Sequence, residues 1–196
     1  MCIRDSDSAV VAALASHALG GASVYGVSMP SKFSSEHSKK DAELLSNNLG
    51  IDFKTIPIQN LVDCFENSLV DFFSDTNRGT AEENIQSRVR GNILMAISNT
   101  FRRLVLSTGN KTELALGYCT LYGDMSGGLS VISDLNKSEV YELAKWINNN
   151  KGDCIPLNSI EKPPSAELSP NQVDPFDYDL IIVWLCHLQY PCQTLS

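Results

Sequence analysis

Short apolar runs spaced by helix-length segments constrain this chain more than any other feature. Residues 22–29 (ASVYGVSM), 51–56 (IDFKTI) and 104–107 (LVLS) are β-rich, and each is bounded by glycine, proline or a polar break. Around them run helical patterns. Residues 7–19 (DSAVVAALASHAL) stop at Gly20-Gly21, and residues 38–49 (SKKDAELLSNNL) place Ala42, Leu45 and Leu49 on one face before Gly50. Further helices are expected over 61–73, 80–101 and 136–149. Strands that are short and apolar rather than alternating predict an α/β fold, a mostly parallel sheet covered by helices on both faces. Ligands of such sheets sit beyond the carboxyl ends of the strands. The loops after Met29, Ile56 and Ser107 are therefore where a site is expected.

Composition narrows the function classes. The 196 residues fit one domain with enough chain for a core, and 43% hydrophobic with 19% charged residues is an ordinary globular balance. A net charge of −8 argues against nonspecific nucleic-acid binding, which needs a basic surface to neutralise phosphates. The longest strongly apolar stretch, 180–185, is far below the roughly 20 residues of a membrane-spanning helix, so no membrane role is expected. The cysteines at 2, 64, 119, 154, 186 and 192 form no Cys-x-x-Cys pair and read as free thiols. His17, His37 and His187 are isolated from one another, which gives no local support to a histidine metal site or a Ser-His-Asp hydrolase.

Several segments carry polar chemistry. Residues 106–113 (LSTGNKTE) take a strand end through Thr-Gly-Asn into a helix start. Thr108 offers hydroxyl and backbone to a nucleotide, Gly109 permits close approach, and Glu113 projects a carboxylate toward Mg²⁺ or a ligand. The same residues also fit a merely capped helix, with Thr108 and Glu113 loosely spaced as a capping box. In 80–92 (TAEENIQSRVRGN), Asn84 and Arg88 share one helix face, suiting either a carboxylate or phosphate ligand or a solvated ladder of charges. The glycines between Gly117 and Gly128 suit backbone approach to a ligand or a mobile loop, and Lys137 follows at a helix start. Residues 162–168 (KPPSAEL) are too specific for a generic linker. At the other end, Asp7-Ser8-Ala9 opens a helix, but residues 3–6 hold no glycine for a loop that cradles phosphate.

Taken in order, MPSKFSS (29–35), EENIQSRVRGN (82–92), STGNKTE (107–113), GYCTLYGDMSGG (117–128) and KPPSAEL (162–168) resemble the ammonia-ligase domain of the bacterial glutamine-dependent NAD synthetases, over about residues 7–178. The resemblance implies an adenine-nucleotide alpha-hydrolase-like fold, a Rossmann-like three-layer parallel sheet, with its first strand missing here. It also implies a two-step reaction. ATP adenylylates the nicotinate carboxylate of deamido-NAD and releases pyrophosphate, and ammonia then displaces AMP to give NAD, with Mg²⁺ offsetting phosphate charge. By motif it implies ATP contacts at Asp7, Ser8, Lys32, Thr108, Lys137 and Ser165. Deamido-NAD contacts fall on Asn84, Arg88 and Glu113, and Mg²⁺ ligands on Asp7 and Glu113. No covalent nucleophile is implied; positioning and charge neutralisation supply the catalysis.

The family also implies a homodimer through the 80–101 helix; a cytoplasmic location is expected from the lack of a membrane-length apolar run and of a basic-plus-apolar leader. Residues 1–6 (MCIRDS) stand where the family has a strand and Ser-Gly-Gly-x, and are expected to be a non-native start. Residues 179–196 are expected to be an aberrant tail, and the glutaminase domain is expected to be absent, leaving free ammonia as the nitrogen source. Two alternatives accompany this reading: an inactive fragment of the same domain, or another ATP-pyrophosphatase amide ligase.

Overall fold

The computed structural model describes residues 6–74, 77, 79–162, 165–170, 172, 174, 175 and 178. The start at 1–5 and the tail at 179–196 lie outside the described residues. Helix α1 (Ser6–Leu19) is apolar almost all round, and the core closes over it on every side. Its Ala9, Val10, Val11, Ala12 and Ala13 pack with Leu45, Ile132, Val140, Ala144, Ile147 and Ile155. Small side chains along α1 allow its neighbours a close approach, and each fully buried Val, Leu or Ile contributes about 1.5–3 kcal/mol.

After a 3-10 turn (Gly21–Ser23), β1 (Tyr25–Ser28) leads to α2 (Glu36–Leu49), β2 (Asp52–Thr55), α3 (Gln59–Ser68) and α4 (Val70–Phe73). Then come α5 (Thr80–Phe101), β3 (Leu106–Ser107), α6 (Lys111–Leu116), β4 (Leu129–Ser130), α7 (Lys137–Lys151) and α8 (Leu157–Glu161). Caps explain several ends. Ser35 accepts from the Ser38 amide to start α2, and Gly50, at φ 61°, takes the left-handed conformation that ends it.

The parallel character is observed, but the expected single sheet is not. β1 pairs parallel with β2, Tyr25 opposite Asp52 through Ser28 opposite Thr55, and β3 pairs parallel with β4. These are two separate two-stranded sheets. Between them lies an apolar cavity of about 250 Å³, lined by Tyr25 and Val27 from β1, Val105 and Leu106 at β3, and Leu94 and Ile97 from α5. Five further differences stand, the first that the expected 104–107 strand is only Leu106–Ser107. The 22–29 strand is shorter because its first residues form the 3-10 turn, and the 61–73 helix breaks at Leu69, where φ −111° and ψ 12° leave the helical region. The glycine-rich segment supplies β4, and the proline-rich stretch contains α8. Both were too short to show a period in the sequence.

Helix α5 has the bounds expected for it, and its burial follows from one small residue. A Cβ on Gly91 would lie 2.9 Å from the Tyr122 carbonyl oxygen and 3.0 Å from that of Gly123. The 120–126 segment therefore rests directly on the helix backbone, with Ser87 Oγ donating to Asp124 Oδ2 at 2.9 Å beside it. Gly91→Val is expected to destabilise by about 2 kcal/mol or more through overpacking, which is about 4–8 °C in melting temperature for a domain of this size. An unchanged thermal transition would show that the segment yields without cost. No helix among the described residues is long and apolar enough to cross a membrane.

Candidate functional site

Three helix starts converge where β3 ends. Asn110 caps α6, accepting the Glu113 amide on Oδ1 at 3.0 Å, while its own amide donates to Glu113 Oε2 at 3.2 Å. This reciprocal pair is a capping box, set on Asn110 rather than on Thr108 as the sequence reading had it. The Asn110 side chain then reaches across the fold, Nδ2 donating to Asp7 Oδ1 in the first turn of α1 at 2.9 Å. The other Asp7 oxygen pairs with the Lys137 ammonium at the start of α7. Asp7, Asn110 and Lys137 are 3%, 0% and 2% exposed. A lysine and an aspartate this deep are tolerated only because each neutralises the other and both are hydrogen-bonded. The Lys137 amide also donates to Thr112 Oγ1 at 3.2 Å, fixing α7 against α6.

Beside this hub opens a cavity of about 140 Å³. Asp7, Ser107, Thr108, Gly109, Glu113 and Lys137 line it, together with Ser38, Lys162, Ser165, Ala166 and Glu167. It lies beyond the carboxyl end of β3, the position where a parallel α/β sheet binds ligands. Burial, followed by the neighbouring Asp124 and Glu113 carboxylates, pushes the Cys119 thiol up, so the cavity's cysteine stays protonated and un-nucleophilic near neutrality. Tyr178 donates to Asp174 Oδ2 at 2.6 Å, and burial together with that carboxylate pushes its phenol up, keeping it a donor. Tyr118 donates to the other Asp174 oxygen at 3.2 Å. The Lys137 ammonium sits 5.4 Å from the Tyr141 ring centre and 6.0 Å from that of Tyr178. No histidine lines the cavity among the described residues.

Of the residues expected from sequence, Asp7, Thr108, Glu113, Lys137 and Ser165 come together around this one cavity. Ser8 lines an adjoining cavity of about 100 Å³, which shares Thr108, Asp124 and Ala166 with the first. The other three stand apart. Lys32 is exposed, its amide donating to Gln59 Oε1 at 2.9 Å. Asn84 and Arg88 do share one face of α5, but that face holds the glycine-rich segment: Thr120 Oγ1 donates to Asn84 Oδ1 at 2.7 Å, and Arg88 Nε donates to the Leu121 carbonyl at 3.3 Å. The Ser165 hydroxyl accepts from the Glu167 amide at 3.1 Å and donates to the Gln172 carbonyl, so it already serves its own turn.

Sequence reasoning missed Asn110, Asp124 and Glu167. Asn110 had a visible signal, an Asn three residues before a Glu at a helix start. Asp124 and Glu167 had no clear one: Thr120 and Lys162 bind them locally, but the contacts that place them come from Ser87, 37 positions from Asp124, and from Ser38 and Ser35, 129 and 132 positions from Glu167. The donor set also bears on Mg²⁺. Asp7 and Glu113 are both bonded to Asn110 and face one cavity, yet no cluster of three or more metal-ligating side chains occurs among the described residues. Two carboxylates fit an Mg²⁺ that arrives with a polyphosphate, whose oxygens and waters complete its shell, rather than a dedicated protein cage.

Parallel strands with helices packed around them, and a charged cavity beyond a strand end, fit a Rossmann-like α/β protein, the fold of the solved structures it resembles. Within that class the chain belongs to the NAD synthase family, which matches residues 5–188. It is 55% identical over 168 residues to a glutamine-dependent NAD(+) synthetase from Synechocystis, a match covering 86% of this chain. The chain spans about 30% of the length of the curated relatives it matches. Its fold is similar to the glutamine-dependent NAD+ synthetase of Acinetobacter baumannii solved with ADP, with a TM-score of 0.78 at 35% identity over 94% of this chain and 38% of that one. It is also similar to an NMN synthetase from Francisella tularensis, with a TM-score of 0.83 at 29% identity over 98% of this chain and 75% of that one.

Proposed function

We propose that this chain carries the ATP-dependent amidation of deamido-NAD to NAD, releasing AMP and pyrophosphate. The observation that carries the reading is the Asp7–Asn110–Glu113 and Lys137 constellation at the end of β3, in a chain of the NAD synthase family. Chemically, a nicotinate carboxylate oxygen attacks the α-phosphorus of ATP and pyrophosphate leaves; ammonia then attacks the acyl carbon and AMP leaves. Neither step needs a protein nucleophile, which agrees with a cavity whose cysteine is held protonated. Catalysis then rests on orientation and on charges placed in advance.

In this reading Lys137, held by Asp7, presents positive charge to phosphate oxygens, while Thr108 contributes hydroxyl and backbone donors. Ser8, Lys32 and Ser165 belong to the same ATP proposal, Ser8 supported by its place in the adjoining cavity. Asp7 and Glu113 would hold Mg²⁺, which when bound offsets phosphate charge and makes pyrophosphate a better leaving group. Asn84, Arg88 and Glu113 are assigned to deamido-NAD. Dimerisation through α5 is proposed on the exposed Met95 and Phe101 along that helix. A cytoplasmic location completes the proposal, since ATP is the co-substrate.

A second reading follows from the fold's likeness to an NMN synthetase: were NMN the product here, the same amidation would require nicotinate mononucleotide as acceptor rather than the dinucleotide. Both are tested by incubating the chain with MgATP, ammonium and either acceptor, and separating the nucleotides by chromatography. NAD from deamido-NAD is expected. NMN formed in preference would move the chain to the second reading, and AMP release with neither acceptor would sink both.

A further inference from the structure

Residues 165–168 form a partition. Ser165, Ala166 and Glu167 line the main cavity, whereas Ala166 and Leu168 line the adjoining one, so this short stretch runs along the boundary of the two spaces, completed by Ser107, Thr108 and Asp124, which line both. It carries no regular structure of its own, and what holds it comes from both sides. From α5, Gln86, which is 0% exposed, donates Nε2 to the Leu168 carbonyl at 2.8 Å. From the α2 side the anchor is the Glu167 carboxylate, 7% exposed. Ser38 Oγ donates to it at 2.8 Å, Ser35 Oγ at 3.0 Å and the Ser35 amide at 3.4 Å, and the Lys162 ammonium pairs with it. Ser35 is also the N-cap of α2, so the carboxylate sits where that helix's unpaired amides favour negative charge.

Two further features mark the anchor. Glu167 has φ 47°, the left-handed region that a non-glycine residue occupies only at a steric cost. The surrounding bonds over-determine that conformation, the pattern expected where a backbone must hold a functional wall in place. Burial alone would push the Glu167 carboxyl up, but the bonds from Lys162 and Ser38 outweigh it and hold the group below the usual carboxylate range. The contacts therefore favour the charged form, as an ionic clamp requires.

We propose that Glu167 is a positioning residue for the nucleotide cavity: its carboxylate, clamped at the start of α2 by Ser35, Ser38 and Lys162, fixes the 165–168 partition and so sets the width of the cavity. The proposal rests on the reading of that cavity as the ATP site. Glu167 touches no reacting group; it acts through the wall it holds. Conversely, Gln86 secures the same wall from α5, so the two anchors share its load.

The test uses the full chain and three variants, Glu167→Ala, Glu167→Gln and Ser38→Ala. ADP affinity is measured by calorimetry, KM for ATP and kcat by NAD formation, and backbone protection of 165–168 by hydrogen exchange. Glu167→Ala is expected to weaken ADP binding and raise KM for ATP about tenfold, with kcat at saturating ATP within about twofold. Glu167→Gln keeps acceptors for the two serines and is expected to recover to within about threefold. If Glu167→Ala does not fold, Ser38→Ala removes one donor alone and is expected to raise KM about threefold. Exchange at 165–168 should rise in every variant while the α1 core stays protected. Unchanged KM with unchanged exchange overturns the proposal, as does a fall in kcat at constant KM, which would put Glu167 in the chemistry. If the wild-type chain binds no ADP, the nucleotide reading fails instead, and exchange at 165–168 alone decides whether Glu167 holds the wall.

Discussion

Lys137→Met is expected to destabilise the chain by about 3–5 kcal/mol, because it removes the Lys137 ammonium from a buried Asp7 carboxylate. For a domain of this length that is a fall of about 6–20 °C in the thermal midpoint. The magnitude depends on burial, since an exposed pair of the same geometry would contribute about 1 kcal/mol or less. The companion variant decides the cause. Asp7→Asn with Lys137→Met removes both charges and keeps an oxygen for the Asn110 amide group, so it should recover much of the loss. A double-mutant cycle by urea unfolding should then give a coupling above about 1 kcal/mol. Activity should not follow stability: the refolded double variant lacks the cation proposed to face phosphate, and NAD formation should stay below about 1% of wild type. A coupling near zero would show that the pair contributes nothing mutual, and full turnover in the double variant would remove Lys137 from the site.

Asn110→Ala carries the second large effect, since one side chain performs two separate tasks. Losing the cap of α6 costs about 0.5–2 kcal/mol, and losing the donor to a buried carboxylate costs about 1.5–3 kcal/mol. Together these predict a loss of about 2–5 kcal/mol, with NAD formation reduced at least tenfold as Asp7 loses its side-chain donor and the Glu113 amide its cap, while the residue-110 backbone amide still holds the Glu113 carboxylate. Asn110→Ser separates the two tasks. A serine hydroxyl caps the helix but is too short to reach Asp7, so it should restore roughly the cap's share of stability and little of the activity. If alanine and serine unfold at the same urea concentration, the cap is not what Asn110 contributes; if both retain full turnover, the hub is structural only.

These two side chains show where the sequence was legible and where it was not. α5 runs from Thr80 to Phe101 as expected, because an acidic first turn marked its start and nothing interrupted it. The starts and stops of α2 and α6 were written locally too, in Ser35, Gly50, Asn110 and Gly117. Strand pairing was less legible. β3 and β4 are two residues each, shorter than any period can reveal, and the division into two sheets depends on which neighbours each strand finds.

The site divides along the same line. Thr108 and Glu113 were marked by a strand end entering a capped helix, and their cavity lies where parallel strands direct ligands. Lys137 and Asp7 were expected as separate phosphate and metal contacts, and only folding made them partners, 130 positions apart in sequence. Asn84 and Arg88 were correctly placed on one face of α5, but the identity of what packs there, the 117–128 segment, is a tertiary fact.

By itself, then, the sequence determined the class of fold, most helix ends and the family, because periodicity, caps and ordered motifs are short-range properties of the chain. Tertiary structure alone decided which charges became buried partners and which residues wall the cavity. A carboxylate's role depends on the groups within a few ångströms of it, and at Asp7 and Glu167 most of those groups come from segments more than 100 residues away.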